Sequence, residues 1–417
     1  MTATPRRAAA ALWASFFLLY SGLSLTLHFR VPRLYARLDL VFDADVPSRI
    51  IDLTRVGGAH YRTQVHPLFV LVLNPLGLLL RAGLRALGIE PSGRLAAMLL
   101  TSAAAAAGVA LLFVWLRRTS AGGPALLWAL LFGLSASQMV FGALPETGVF
   151  SALSLLAVFF VVSDPGRSAA LRLAASVGCF GMALTNIGAV FVARADALWN
   201  EGWRRAVRAA ASLAVVAVVA TAPLAALQLW IYPRTVAFYD WSGLARDDHL
   251  SFYRPSSVGD GLSHLADLGA HLVLFNLAAP RLEIHGQPAR PTVDYPRVSW
   301  SAFRPAGLAH AGLWIAILAS SALGLLSSRH SWKPPIRAVF LWLAMNAALH
   351  SVFGLSLFLY SCQWTFAVVA FAALGADAWA GEASARRRVV LVVLVLVVLL
   401  QAWANAQLYS EFLTVFA

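Results

Sequence analysis

Apolar stretches separated by short polar ones run the length of the chain. Eleven are candidates for helices that cross a bilayer: residues 8–28, 95–116, 124–142, 147–163, 169–185, 187–200, 209–231, 306–326, 338–354, 365–380 and 389–409. Runs of about 20 apolar residues, rather than short alternating segments, select helices over a transmembrane barrel, and in hydrocarbon only those two architectures satisfy the backbone. A twelfth stretch, "HPLFVLVLNPLGLLLRAGLRALG" at 66–88, reads differently. Asn74, Arg81 and Arg85 are seven and four residues apart, one polar stripe on a helix, which predicts a juxtamembrane helix lying in the interface instead of crossing. Residues 169–200 are read as two short crossings joined by a turn at Thr185-Asn186. The expected fold class is all-α: a polytopic transmembrane helix bundle of about 11 helices, one integral membrane domain over 1–417, with two large outer loops at 29–93 and 232–304.

Composition strengthens this reading. The chain is 60% hydrophobic and 12% charged, with a mean hydropathy of +0.73, against roughly 45–50% and 25% in soluble domains. The start, "MTATPRRAAAALWASFFLLYSGLSLTLHF", is basic and then apolar without a convincing cleavage site, so it is expected to stay as the first helix. A net charge of +13 does not point to nucleic acid, because the basic residues fall in short clusters between apolar runs. The clusters are Arg6 and Arg7; Arg117 and Arg118; Arg167 and Arg172; Arg204, Arg205 and Arg208; Arg329, Lys333 and Arg337; and Arg386, Arg387 and Arg388. Placing all six on the cytoplasmic side, with a cytoplasmic N-terminus, satisfies the positive-inside rule. Nine of the ten histidines, all but His330, and most acids then lie on the outer side, as an enzyme working at that surface needs. A channel or carrier more often buries some of them mid-membrane. Cys179 and Cys362 are far apart in apolar surroundings and are expected to pack, not to pair or bind metal.

The first outer loop holds the candidate chemistry. In "LVFDADVPSRI", Asp43 and Asp45 can each take a proton from an acceptor hydroxyl, with Arg37, Arg49, Arg55 and Arg62 nearby to tune them. Asp39 and Asp52 read more simply as solvated loop acids. In "GGAHYRTQVHPLF", His66 stands before Pro67 at a helix start, where neutral imidazole can meet a sugar or phosphate oxygen; His60 and Arg62 are further binding candidates. Arg94 precedes an apolar run, a position from which a guanidinium can grip a lipid phosphate. Glu146 in "FGALPETGVF" sits between nearly uncharged segments, where a carboxylate is costly unless paired or functional. The second loop mixes aromatics with Asp247, Asp248, His249, Arg254 and His264, and His350, Tyr360 and Gln363 surround a late outer turn; Tyr360 is a binding candidate. No metal site or cofactor is indicated by spacing, although a need for a divalent cation stays open.

The order of these pieces resembles the GT-C class of membrane-embedded glycosyltransferases, whose members include protein O-mannosyltransferases and the aminoarabinose transferases of lipid A. The matching pieces are "FDAD" soon after the first helix, "HPLF" opening a juxtamembrane helix, Arg94 at the next crossing, and "LPE" after the third. They cover roughly the first 165 residues. The resemblance implies a polyprenyl-phosphate-linked sugar donor, a lipid, glycan or protein acceptor, catalysis at the outer face of a bacterial inner membrane in building the cell envelope, and Asp45 or Asp43 as the base, Asp45 favoured. Arg94 and His66 would then steady the departing lipid phosphate. "DAD" in place of an adjacent acid pair, and one proline after His66 where relatives often have two, depart from the pattern. The contrasting expectations are a multi-pass transporter or lipid flippase, and a non-catalytic membrane scaffold.

Overall fold

The computed structural model describes residues 3–119, 124–240, 252–287, 290–327, 332, 334–354 and 356–416. The chain opens with α1 (Ala3–Arg30), followed by the short α2 (Val46–Thr54) and the amphipathic α3 (Phe69–Ala86). The bundle continues with α4 (Ser92–Thr119), α5 (Ala125–Gly133), α6 (Ala136–Ala143), α7 (Gly148–Val161), α8 (Ala169–Met182), α9 (Ile187–Leu198) and α10 (Trp203–Ile231). After it come α11 (Val258–Ala270), a hairpin of β1 (Glu283–Gln287) and β2 (Arg290–Asp294), α12 (Pro305–Ser327), α13 (Ile336–His350), α14 (Cys362–Ala380) and α15 (Ser384–Phe416). Each of the eleven expected stretches is therefore helical, and the protein is a helical bundle with little sheet. Among the described residues six helices are long and apolar enough to cross a membrane, or seven if α5 and α6 form one span.

α3 is one of those six by length and hydropathy, and it packs between α2 and the start of α4. α1 and α4 pack antiparallel: Trp13 Nε1 donates to the Ala103 carbonyl at 3.2 Å, and Arg94 lies 3.3 Å from His28. The end of α1 and the start of α4 thus share one end. Only residues 87–91 join α3 to α4, and five residues reach at most about 18 Å, so the end of α3 lies near that same end. The polar stripe faces α2. Asn74 Nδ2 donates to the carbonyls of Asp52 and Arg55 at 2.8 and 3.2 Å, and Arg81 Nη1 donates to that of Thr54 at 2.9 Å. These are carbonyls that the end of a helix leaves unpaired.

α8 and α9 have 14 and 12 residues, rising only about 21 and 18 Å. Their turn meets the first loop: Leu68 N–H donates to Gly181 and Leu184 N–H to Val65, at 2.8 and 3.1 Å. Arg118, Arg167 and Arg337 lie at the opposite end. The Arg118 guanidinium lies 4.2 Å from the Phe160 ring centre, Arg167 approaches the same ring, and Arg337 pairs with Asp196 at 2.6 Å.

Three features add detail to the expected bundle. The first loop is not simply irregular, because α2 forms inside it. The second contains α11 and the two-stranded hairpin, a small addition to an all-α fold. Third, the expected helix at 124–142 is two helices bent by 55° at Leu134-Ser135. The groups freed there are all engaged: Asn405 Nδ2 donates to Leu134 and Leu277 carbonyls, both at 2.7 Å, and Ala136 N–H donates to Leu277 at 2.8 Å. Residues 276 and 277 therefore reach the interior. Asp247, Asp248, His249, Arg329, His330 and Lys333 lie outside the described residues.

Candidate active site

α2 organises the site by its period. At 100° per residue, Asp45, Arg49 and Asp52 fall on one face, and Pro47, Ile50, Ile51 and Thr54 on the other. Arg49, 2% exposed, is the hub of the first face. Its guanidinium lies 2.5 Å from Asp52 Oδ2, 3.5 Å from Asp45 Oδ2 and 3.7 Å from Glu146 Oε1. Burial works against its charge, but Asp52, Glu146 and Asp45 outweigh it and hold the guanidinium more firmly protonated than usual. Glu146, between α6 and α7, accepts from the Asp45 N–H at 3.0 Å and from the N–H and hydroxyl of Thr147 at 2.8 and 3.0 Å. Burial raises its pKa, Arg49 opposes the rise, and Asp45 adds to it.

The histidines extend the cluster. His60, fully buried, shares a hydrogen bond with Asp52 Oδ1 at 2.7 Å. Its backbone N–H donates to the Arg234 carbonyl at 3.0 Å, which ties this loop to the segment after α10. His66 precedes α3 by three residues rather than opening it, and its Nδ1 donates to the Met182 carbonyl at 2.6 Å. Burial first, then the Arg49 charge, lowers its pKa to about 3, so it is a neutral imidazole at physiological pH.

Asp43 and Asp45, two residues apart, have different environments. Arg62 donates to Asp45 Oδ2 through Nε and Nη2 at 3.2 and 3.1 Å, so two guanidiniums share that one oxygen. Asp43 is exposed. It belongs to a tight turn closed by Ala44 N–H donating to the Val41 carbonyl at 2.9 Å, with Phe42 and Asp43 both left-handed at φ 52° and 54°. Neither is glycine, and such backbone costs about 1–2 kcal/mol per residue. The fold compensates by holding Phe42. Its ring is 1% exposed, 4.7 Å from Tyr295, 4.4 Å from Phe358 and 6.3 Å from Phe412. Backbone bonds of 2.9 Å from Phe42 N–H to Val293 and from Val293 N–H to Leu40 pin the strand edge beside it. Strain maintained in this way is characteristic of functional positions.

Ser356 donates to Asp43 Oδ2. Asp294, at the end of β2, lies close enough that Asp43 adds to the effect of burial in raising its pKa to about 6. Tyr360, within the electrostatic reach of Arg62, Asp43 and Glu146, packs on Gly354, whose positive φ lets the chain turn beneath the ring. The structure thus brings together Asp43, Asp45, Glu146, His60, Arg62, His66 and Tyr360. Arg94 is apart: it lies under Tyr35 and beside His28, lining a cavity on the second face of α2. Arg49, Asp52, Ser356 and Asp294 were not singled out as site residues. The four- and three-residue steps from Asp45 to Arg49 to Asp52 are the sequence signal that could have revealed the first two.

Among the described residues no group of three or more His, Cys, Asp or Glu side chains is placed to hold a metal ion. Comparison of the chain with protein families, curated proteins and solved structures gives no match.

Proposed function

We propose that the protein is a membrane glycosyltransferase that moves a sugar from a polyprenyl-phosphate-linked donor to an acceptor hydroxyl at the outer face of a bacterial inner membrane. The observation that carries this reading is the exposed Asp43 carboxylate, presented by a strained turn beside a buried cluster of fixed charge at one end of an apolar bundle. In the proposed reaction the acceptor oxygen forms a bond to the anomeric carbon, the bond from that carbon to the phosphate oxygen breaks, and the acceptor proton passes to a carboxylate. Asp43, exposed and within ion-pair distance of no cation among the described residues, is the carboxylate an acceptor can reach; Asp45, held by Arg49 and Arg62, stands second. Arg62, partly exposed, meets the departing phosphate, a fixed charge where charge develops. The His66 Nε2 lone pair accepts from a sugar hydroxyl. All eleven stretches cross in this reading, α5 and α6 together as one span and α8 and α9 as a short pair, while α3 lies in the interface.

The test is transfer from polyprenyl-phosphate sugars by membranes carrying Asp43→Asn or Asp45→Asn. Asp43→Asn should lose at least about a hundredfold, within the range general base catalysis contributes, and Asp45→Asn less. Full activity in both variants refutes the reading; the reverse order exchanges the two roles. The bend between α5 and α6 favours a second reading, a transporter or lipid flippase, because transporters use broken helices. Substrate-dependent flux in proteoliposomes without transfer would establish it.

A further inference from the structure

The second face of α2, with Pro47, Ile50, Ile51 and Thr54, walls a cavity of about 560 Å³ closed by α3, the start of α4 and the segment after α1. Four arginines line it: Arg55, Arg81, Arg85 and Arg94. None is within ion-pair distance of a carboxylate among the described residues. The cavity's one acid, Glu90, turns Oε2 to the Ser92 N–H at 2.6 Å. Arg81 crosses Gly93 closely, where an added Cβ would lie 3.7 Å from its Cδ. A guanidinium is thus held against the positive end of a 28-residue helix. Four cations and a helix N-terminus around one carboxylate leave a concave site short of negative charge, and guanidiniums match phosphate oxygens in pairs.

The surroundings narrow the ligand to a lipid. Val72, Leu76, Leu79 and Leu80 recur at helical spacing on the outer face of α3, 46%, 47%, 72% and 36% exposed, and Leu87 beyond its end is 76% exposed. A molecule with its phosphate among the arginines can lay its chains along this apolar surface. We propose that the cavity is a binding site for the phosphate headgroup of an anionic membrane phospholipid, separated by α2 from the acidic cluster. It does not depend on the proposed sugar transfer.

The test uses the purified full chain in nanodiscs of phosphatidylcholine alone or with added phosphatidylglycerol, and with inorganic phosphate as a separate arm, reading lipid retention by native mass spectrometry and thermal stability. Arg55→Gln with Arg85→Gln removes two exposed cations that make no described hydrogen bond. Arg204→Gln, at the opposite end of the protein, is the control. Phosphatidylglycerol should be retained by the wild type and the control, and held about tenfold or more weakly by the double variant. Equal melting of wild type and double variant in phosphatidylcholine alone shows that folding is intact. If it is not, Arg85→Lys, which keeps charge but loses the paired geometry, replaces the double variant. Undiminished retention by these variants overturns the site. Equal loss in the control reduces it to diffuse attraction and overturns it too, and equal protection by inorganic phosphate overturns the assignment to a lipid.

Discussion

Arg49→Met is the sharpest test of the charge cluster. The substitution keeps much of the apolar stem and removes a guanidinium that is 2% exposed and shared by Asp52, Asp45 and Glu146. Taking one partner from a buried ion pair costs about 3–5 kcal/mol, because the partners left behind stay charged without compensation. Asp52 and Glu146 lose the guanidinium beside them while Asp45 keeps Arg62, so the range applies as it stands. At about 2 °C per kcal/mol, the low end for larger domains, the melting temperature should fall by roughly 6–10 °C near pH 8. The pH dependence identifies the cause. Without Arg49, the burial that raises the Glu146 pKa loses its largest opposing influence, so the variant loses stability as pH rises through the interval between the unfolded and folded values of that group. The deficit should therefore shrink toward pH 5, and Arg49→Lys should restore much of it at pH 8. Melting of the detergent-solubilised protein across that range measures both. A deficit equal at both pH values would mean lost packing instead of lost charge, and no deficit would refute the cluster's role.

Two further predictions follow from geometry near the site. Gly77→Ala would bring a Cβ to 1.9 Å from the Leu53 carbonyl oxygen, backbone that cannot move aside; despite the ~1 kcal/mol helix preference for alanine, it should lower the melting temperature, and an unchanged melt would contradict the close α2–α3 contact. Asp294 has a folded pKa of about 6 against roughly 3.9 unfolded. Wild-type stability therefore falls between about pH 4 and pH 6 and stays lower above. Asp294→Asn should match wild type near pH 4 and exceed it by about 1–2 kcal/mol at pH 7.5, the full linkage being discounted for partial exposure; a difference independent of pH would refute the assignment.

The helices were legible because hydropathy is a local signal. The stripe of Asn74, Arg81 and Arg85 was legible too, since its period is a property of one segment. The site was half legible. Asp43, Asp45, His60, Arg62 and Glu146 stood out as costly groups near apolar sequence, but their partners are distant: the Asp45 N–H meets Glu146 across 101 positions, and Ser356 meets Asp43 across 313. α2 escaped notice because nine residues with Pro47 near the start and a mixed polar face carry little helical pattern. The strained turn was hidden for another reason. Asp43 tolerates left-handed backbone but Phe42 does not, so the preference of the sequence at Phe42 runs against the structure, and the aromatic cage from Tyr295, Phe358 and Phe412 makes up the difference. Arg94 was read with the acids because nothing in one dimension shows that α2 lies between them.

The bend between α5 and α6 bears most directly on the choice between catalysis and transport. A break used for transport lines a path, and its freed backbone groups or nearby charges meet the cargo. This break is filled and its polar groups are paired. Ser135 is fully buried, the residues at the bend are uncharged, and Asn405 spends its amide on two carbonyls while its Oδ1 accepts from the Ala279 N–H at 2.9 Å. Opening it would strand three buried backbone groups, each costing about 1–3 kcal/mol when left unpaired. A gate would have to recover that cost from its cargo on every cycle. The charged groups of the acidic site lie instead at one end of the bundle, where the polar partners already made hold them without any such movement. Fixed charge that needs no reorganisation suits a site that stabilises developing charge.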